Sequence, residues 1–458
     1  MTRAEAPDIL VIGGGPAGST AARLLAQWGH RVTILTAPPV HRALAECLPP
    51  STKRVFQFLG IREAIAAAGF FETRGNTVWW GARRKRVEPY PAGFGYQVDR
   101  TAFDRLLLEL AQSAGAAVRL ERVTAPLSTF DAKFVLDCSG RAGVLAREFR
   151  VKPRQGRTVA LCGVWRSEHG WTLPDASHTL VESYAHGWAW SVPLSPTVRH
   201  VAFMVNPAES HPVRGRGLEA AYAAEVARTR AFRKIFARGR MEGRPWGRDA
   251  SPYTSREFGG PGFLLVGDAG SFIDPLSSFG VKKAMVSGWS AAVVANTCLR
   301  RPAIERTALR YFEEREREIE KYHREQAAHW LREEAGGSPE PQPEFMQSDA
   351  GAVERALEGL RRGESIRLRR GESVGTCERA GIEGREVLLR PALVVPGNPA
   401  PLDFVANVNV VRLVEMAPDH RQVPDLFESY TRACGPVELP DFLMALATLV
   451  AKGVLVSR

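Results

Sequence analysis

The stretch Asp8-Ile9-Leu10-Val11-Ile12-Gly13-Gly14-Gly15-Pro16-Ala17-Gly18-Ser19 decides the fold of this chain. Asp8–Ile12 reads as a buried strand, the glycines as a tight turn, and Ser19–Trp28 as a helix with apolar spacing. Arg31–Leu35 is a second strand, which completes a βαβ unit. Gly13, Gly15 and Gly18 fit Gly-x-Gly-x-x-Gly in the context that gives the motif its meaning, a strand before and a helix after. Gly13 permits the turn, Gly15 lets a pyrophosphate approach the backbone, and Gly18 lets the helix pack on the strand. Ala17 lies at the helix start, where unpaired N–H groups and a partial positive charge face the phosphates. The second strand ends in Thr36, where a carboxylate for a ribose is expected. Its hydroxyl is the substitute donor there.

Working outward, Thr101 followed by Asp104 looks like a capping box opening a helix over Ala102–Ala114. Phe134–Leu136 and Gly262–Val266 read as further buried strands. Between them the pattern changes: Thr179–Tyr184, Trp188–Val192 and Arg199–Val205 alternate apolar and polar residues, as an inserted antiparallel sheet would. A long helix follows Gly280, and a charge-dense one runs from Ala303 to about Glu334. Gly336–Pro343 is a Gly/Pro/Glu linker. Beyond it, strand-like Leu402–Met416 precedes helical Pro424–Cys434 and Leu439–Lys452 and the apolar end Val454–Val456, a winged-helix-like pattern.

The chain's 458 residues exceed what one core holds, so several domains are expected. At 45% hydrophobic and 24% charged it is globular, with no apolar run long enough to cross a bilayer. The run Ile9–Ile12 lacks the basic lead and cleavage site of a signal peptide. Cys47, Cys138, Cys162, Cys298, Cys377 and Cys434 form no Cys-x-x-Cys pair, which argues against a zinc site or disulfide framework and for a reducing, cytoplasmic setting. The net charge of +11 sits in arginine runs such as Arg83–Arg86 and Arg361–Arg370, without interleaved aromatics. A solvated basic surface is expected there, not a nucleic-acid or membrane partner.

Further segments carry a resemblance. Tyr96-Gln97-Val98-Asp99-Arg100, Asp137-Cys138-Ser139-Gly140-Arg141, Gly267-Asp268-Ala269 and Gly280-Val281, together with the first glycine turn, resemble the flavoprotein monooxygenase and flavin-dependent halogenase superfamily. That resemblance implies an α/β fold: a Rossmann-like FAD-binding domain in three ββα layers, an inserted antiparallel-sheet substrate domain, and the C-terminal module. The boundaries expected are 1–80, 95–158 and 250–335 for the FAD-binding domain, 81–94 and 159–249 for the substrate sheet, 336–346 for the linker and 347–458 for the C-terminal domain. It also implies that Arg100 contacts FAD, Asp268 bonds the ribityl chain, and Gly280 and Val281 meet the isoalloxazine edge. Val123 joins these contacts, and no metal is implied.

Glu46-Cys47-Leu48-Pro49-Pro50-Ser51-Thr52 and Trp188-Ala189-Trp190-Ser191-Val192-Pro193 are similar to segments of the halogenase branch. That branch carries a lysine in Lys-x-Gly-x-x-x-x-Trp-Gly, however, and Thr73 stands at that place before Gly75 and Trp80-Gly81. In Pro275-Leu276-Ser277-Ser278-Phe279-Gly280, Phe279 replaces a small hydroxyl residue of the halide turn. Both departures favour oxygen transfer from a flavin C4a-hydroperoxide, formed with O2, to an electron-rich aromatic ring. Halogenation, with the lysine relocated to Lys53, Lys282 or Lys283, is the alternative. Trp79, Trp80, Trp188, Trp190, Ser278 and Phe279 are the expected walls of a substrate pocket. No catalytic base stands out, since His169, His178, His186 and His200 read as structural or surface histidines. With a single nucleotide motif, electrons come from transiently bound NAD(P)H or a separate flavin reductase. The C-terminal module, lacking basic residues on Pro440–Val450, suits peptide or protein docking better than DNA. The chain then resembles the flavin monooxygenases that hydroxylate a peptide tryptophan during quinone-cofactor formation in quinohemoprotein amine dehydrogenase.

Overall fold

Strand Ile9–Ile12 is completely buried because helices or loops cover both its faces, and its four apolar residues pair in parallel with Val32–Thr36 on one side and Phe134–Asp137 on the other. The computed structural model describes residues 6–457 except 39–43, 82–84, 92, 125–126, 152–156, 186, 209–216, 335–343, 362–367 and 399. His186, Arg83, Arg84 and most of the expected linker lie outside the described residues. The chain forms two units, Met1–Ser338 and Pro339–Arg458.

In the first unit a six-stranded sheet runs in the order 259–260, 263–265, 134–137, 9–12, 32–36, 117–120, parallel except at its first strand. The glycine turn links the central strand to helix Pro16–Gln27, which begins earlier than the spacing of apolar residues suggested because Pro16 occupies its first turn. Gly13 has φ +110°, and a Cβ there would sit 2.4 Å from the Cys138 carbonyl oxygen. A Cβ on Gly18 would lie 1.9 Å from the Gly13 carbonyl oxygen. These two positions therefore accept glycine alone. Helix Gly280–Arg300 packs behind, with Gly288 against the Ala17 backbone.

The expected capping box is corrected. The helix spans Arg100–Ser113 and is capped by Asp99, whose carboxylate accepts from the Ala102 N–H at 3.1 Å. Asp104 turns instead to the Arg100 guanidinium, a stronger partner than a backbone amide.

Facing this layer is a seven-stranded sheet in the order 240–249, 159–166, 198–205, 187–193, 179–184, 75–79, 86–89. Its joints are antiparallel apart from Thr179–Tyr184 with Gly75–Trp79, which run parallel, so the sheet is mixed. The half-exposed strand Arg240–Asp249 carries mostly polar residues and gives little apolar signal.

The second unit has its own core of Leu393, Val408, Leu413, Leu426, Tyr430, Phe442 and Leu446 among others. It contains helix Glu344–Arg361, hairpin Gly375–Glu383/Glu386–Val394, helices Val423–Cys434 and Leu439–Ala451, and strand Leu368–Arg370 paired with Leu455–Ser457. Leu402–Met416 is not one strand. After the short pair Phe404–Val405/Val408–Asn409, Val410–Met416 is helical. Asn409 caps that helix by accepting from the Arg412 N–H at 3.1 Å, and Val410, Val411, Leu413 and Val414 are buried. A good cap and a buried stripe outweigh the β preference of the valines. No single helix among the described residues is long and apolar enough to cross a membrane.

Candidate active site

A cavity of about 490 Å³ opens along the carboxyl ends of the parallel strands and runs beneath the large sheet. Such a position, outside strand ends where the connections diverge, is where open α/β sheets bind ligands. Gly13, Gly15, Ala17, Thr36, Arg100, Val123, Asp268, Gly280 and Val281 all line it. Gly18 does not; it lies under the turn and serves the packing there.

The glycine turn presents the start of helix Pro16–Gln27 with no side-chain cap and no acidic residue in its first turn. Its leading N–H groups are therefore available to an anion. Beside it, Arg100 donates to both oxygens of Asp104 at 2.9 and 3.0 Å and to Glu46 at 3.4 Å. Burial works against the charge on Arg100, but the Asp104 and Glu46 carboxylates hold its pKa above the usual guanidinium value.

The turn Asp137–Ala142 is built by Asp137, which is fully buried. Its Oδ1 accepts from the Ser139 N–H (3.0 Å) and hydroxyl (2.5 Å), and its Oδ2 from the Leu145 (2.7 Å) and Ala146 (3.0 Å) N–H groups. Arg141, on the cavity wall, pairs with Asp249 at 3.2 Å and lies 4.1 Å over the Phe272 ring.

Asp268 differs from Asp137. Its Oδ1 is buried without a hydrogen-bond partner, while Lys283 stands 3.7 Å away. That oxygen is turned to Lys283, but the Asp268 side chain is 30% exposed on the cavity wall, and a carboxylate there suits the donors of a polyhydroxyl ligand. Gly280 opens its helix with space where a Cβ would be. An uncapped helix start, a guanidinium, a partly exposed carboxylate and two backbone approaches fit the phosphates, ribityl chain and ring of FAD.

The expected substrate walls divide. Trp190 and Ser278 line the cavity, and with Trp190 come Ala160, Cys162, Ala202 and Met204 from neighbouring strands. Trp188 and Trp80 belong to the same buried cluster but lie outside the cavity lining. Trp80 donates from its indole nitrogen to the Trp330 carbonyl at 3.0 Å. Trp79 packs on the opposite face of the sheet, in the cluster of Tyr184 and Phe203. Phe279 precedes helix Gly280–Arg300 with its ring 5.1 Å from His323.

No histidine or lysine lines the cavity among the described residues. His178 bonds Thr77 at 3.1 Å and His200 accepts from the Ala45 N–H at 3.3 Å, both structural contacts. Sequence reading passed over Glu46 and Asp274, two cavity carboxyls that burial pushes above the usual carboxylate range. Glu46 stood in a quoted motif, and an acidic residue amid apolar neighbours was the available signal. Among the described residues no His, Cys, Asp and Glu cluster is placed to hold a metal ion.

Residues 6–326 match the family described as FAD binding domain. This chain belongs to that family. FAD is its cofactor. The flavoprotein is 34% identical over 325 residues to a tryptophan 2-halogenase of Chondromyces crocatus, covering 64% of this chain and 61% of that one. It thus spans about three fifths of that relative's length. Its fold matches the flavin-dependent halogenase CmlS with a TM-score of 0.75 at 20% identity, over 99% of this chain and 96% of that one. The peptidyl tryptophan dihydroxylase QhpG, essential for tryptophylquinone cofactor biogenesis, matches with a TM-score of 0.66 at 22% identity, over 98% and 100%.

Proposed function

We propose that this flavoprotein is a monooxygenase that hydroxylates an electron-rich aromatic ring, a tryptophan within a peptide or protein. The observation that carries the reading is the lack of a lysine on the cavity wall among the described residues. Thr73, at the place of the halogenase lysine, is fully buried and donates to the Gly75 carbonyl at 3.3 Å. The three lysines weighed as substitutes are engaged elsewhere. Lys53 lies over the Phe94 ring at 2.9 Å, and Lys282 donates to Ser51 at 3.4 Å. Lys283 is enclosed, donating to the Gly267 and Ser271 carbonyls.

FAD, when bound and reduced, supplies the electrons that activate dioxygen. Gly13, Gly15, Ala17, Gly18, Thr36, Arg100, Val123, Asp268, Gly280 and Val281 are assigned to holding it. Trp190, Met204, Ala202, Ala160 and Cys162 give the cavity an apolar wall that admits a flat ring and excludes water. Glu46 and Asp274, whose carboxyls burial pushes upward, are the acidic groups within that wall able to carry a proton. One oxygen atom of O2 enters the ring C–H bond and the other leaves as water. The two electrons come from NAD(P)H or a separate flavin reductase.

The peptide assignment is supported by the correspondence with QhpG, a peptidyl tryptophan dihydroxylase; the halogenase CmlS matches over the same span, second unit included. The second reading, halogenation, is favoured by the halogenase relative in sequence. Reduced FAD, O2 and tryptophan-containing peptides, with and without bromide, separate the two. The expected product gains oxygen in either buffer. A halide-dependent product overturns the monooxygenase reading.

A further inference from the structure

Behind Asp268, away from the cavity, lies a group of buried charges that the chemistry above leaves unused. Lys283 sits one turn into the helix whose start, Gly280–Val281, lines the cavity. Its side chain is fully enclosed. The ammonium donates to the Gly267 carbonyl at 3.1 Å and the Ser271 carbonyl at 2.5 Å, gripping the Gly267–Ser271 turn at both ends. It also stands 3.7 Å from the unpartnered Asp268 Oδ1.

Glu316 reaches the same region from helix Glu305–Glu334. It is completely buried. Burial pushes its carboxyl upward, while the Lys283 charge, a hydrogen bond from Ser287 and the Arg315 charge pull the other way and Asp268 adds to the rise. Lys283 thus acts on two carboxylates, Glu316 fully buried and Asp268 30% exposed on the cavity wall, with Arg315 as a further cation acting on Glu316.

Resting on the assignment of FAD to the cavity, we propose that Lys283 is a positioning residue and that Asp268, Lys283 and Glu316 together set the preference of this protein for reduced over oxidised flavin. Reduction of FAD by two electrons and one proton adds one net negative charge to the cavity. Lys283, held behind Asp268 and the Gly280 helix start, stabilises that charge, and Glu316 opposes it. In a protein interior such interactions reach well beyond contact distance. Lys283 also fixes the turn that aims Asp268, so its influence passes through that carboxylate as well as through space.

The test is the ratio of dissociation constants for oxidised FAD and for reduced FAD under anaerobic conditions. Glu316→Gln, of nearly unchanged shape, is expected to shift the ratio toward the reduced form by about tenfold. Lys283→Met is expected to shift it about as far toward the oxidised form. The double variant returns to within about twofold of wild type, because the opposing charges are removed together. A purely structural role for Lys283 predicts no rescue by Glu316→Gln. If Lys283→Met does not fold, the Glu316→Gln shift alone decides. Variants that bind FAD yet leave the ratio unmoved, or move it in one direction together, overturn the proposal. Wild-type protein that takes up neither form overturns the cavity assignment, and the proposal with it.

Discussion

Asp137 and Asp268 are both carboxylates at strand ends in the same layer, yet their surroundings give them opposite tasks. Asp137 accepts four hydrogen bonds from its own loop and has no capacity left for a ligand. Asp137→Asn keeps the shape but replaces an acceptor with an NH2 that faces the Leu145 and Ala146 N–H groups or Ser139. A stability loss of about 2 kcal/mol is expected in urea denaturation, since at least one buried donor is left unpaired. His323 makes a pH-dependent case. Burial, with Lys283 and Lys282, lowers its pKa from 6.5 to about 4, so the folded protein holds it neutral. Between those values the unfolded chain binds the extra proton, and stability falls as pH drops from 6.5 toward 4, by at most about 3 kcal/mol. His323→Gln is expected to flatten that part of the stability profile, measured by thermal unfolding across pH.

Elements show how local sequence and packing divide the work. The glycine turn is legible because its spacing follows from steric exclusion within one strand–helix unit. Gly18→Ala, which drives a Cβ into the Gly13 carbonyl, is expected to abolish FAD retention through purification, read from the flavin absorbance. An alanine at Gly15 meets nothing nearer than 3.9 Å, so it is expected to fold normally and to weaken FAD binding alone. The C-terminal helix Val410–Met416 was misread because Val410, Val411, Leu413 and Val414, four branched apolar residues among five, favour a strand locally. Only the Asn409 cap and the core on one side select the helix. The helix at Arg100 was found from sequence, but its cap was assigned to the wrong residue. Thr101 and Asp99 are both capping types, and the position of Arg100 against Asp104 chooses between them.

For the whole molecule, each unit carries a hydrophobic core of its own. Deleting residues 339–458 is expected to leave the FAD absorbance of the remaining protein intact. If that unit docks the peptide, turnover of peptide substrate falls by more than about tenfold while free aromatic compounds are less affected. Steady-state assays of the two substrate types check this.

The sequence alone determined the parallel layer, the inserted sheet and many of the residues that line the cavity, because steric rules and alternation act over a few neighbouring residues. It could not separate the tryptophans. Trp79 and Trp80 are adjacent and so lie on opposite faces of a strand, while Trp188 and Trp190 share a face yet only Trp190 reaches the cavity. Which face is covered, and how far along it the cavity extends, depends on what packs against the sheet. The approach of Glu46, Lys283 and Glu316 to Asp268 was decided by tertiary structure for the same reason. Glu46 and Glu316 come from segments far from Asp268 in the chain, and burial, which no local pattern encodes, gives them their chemistry.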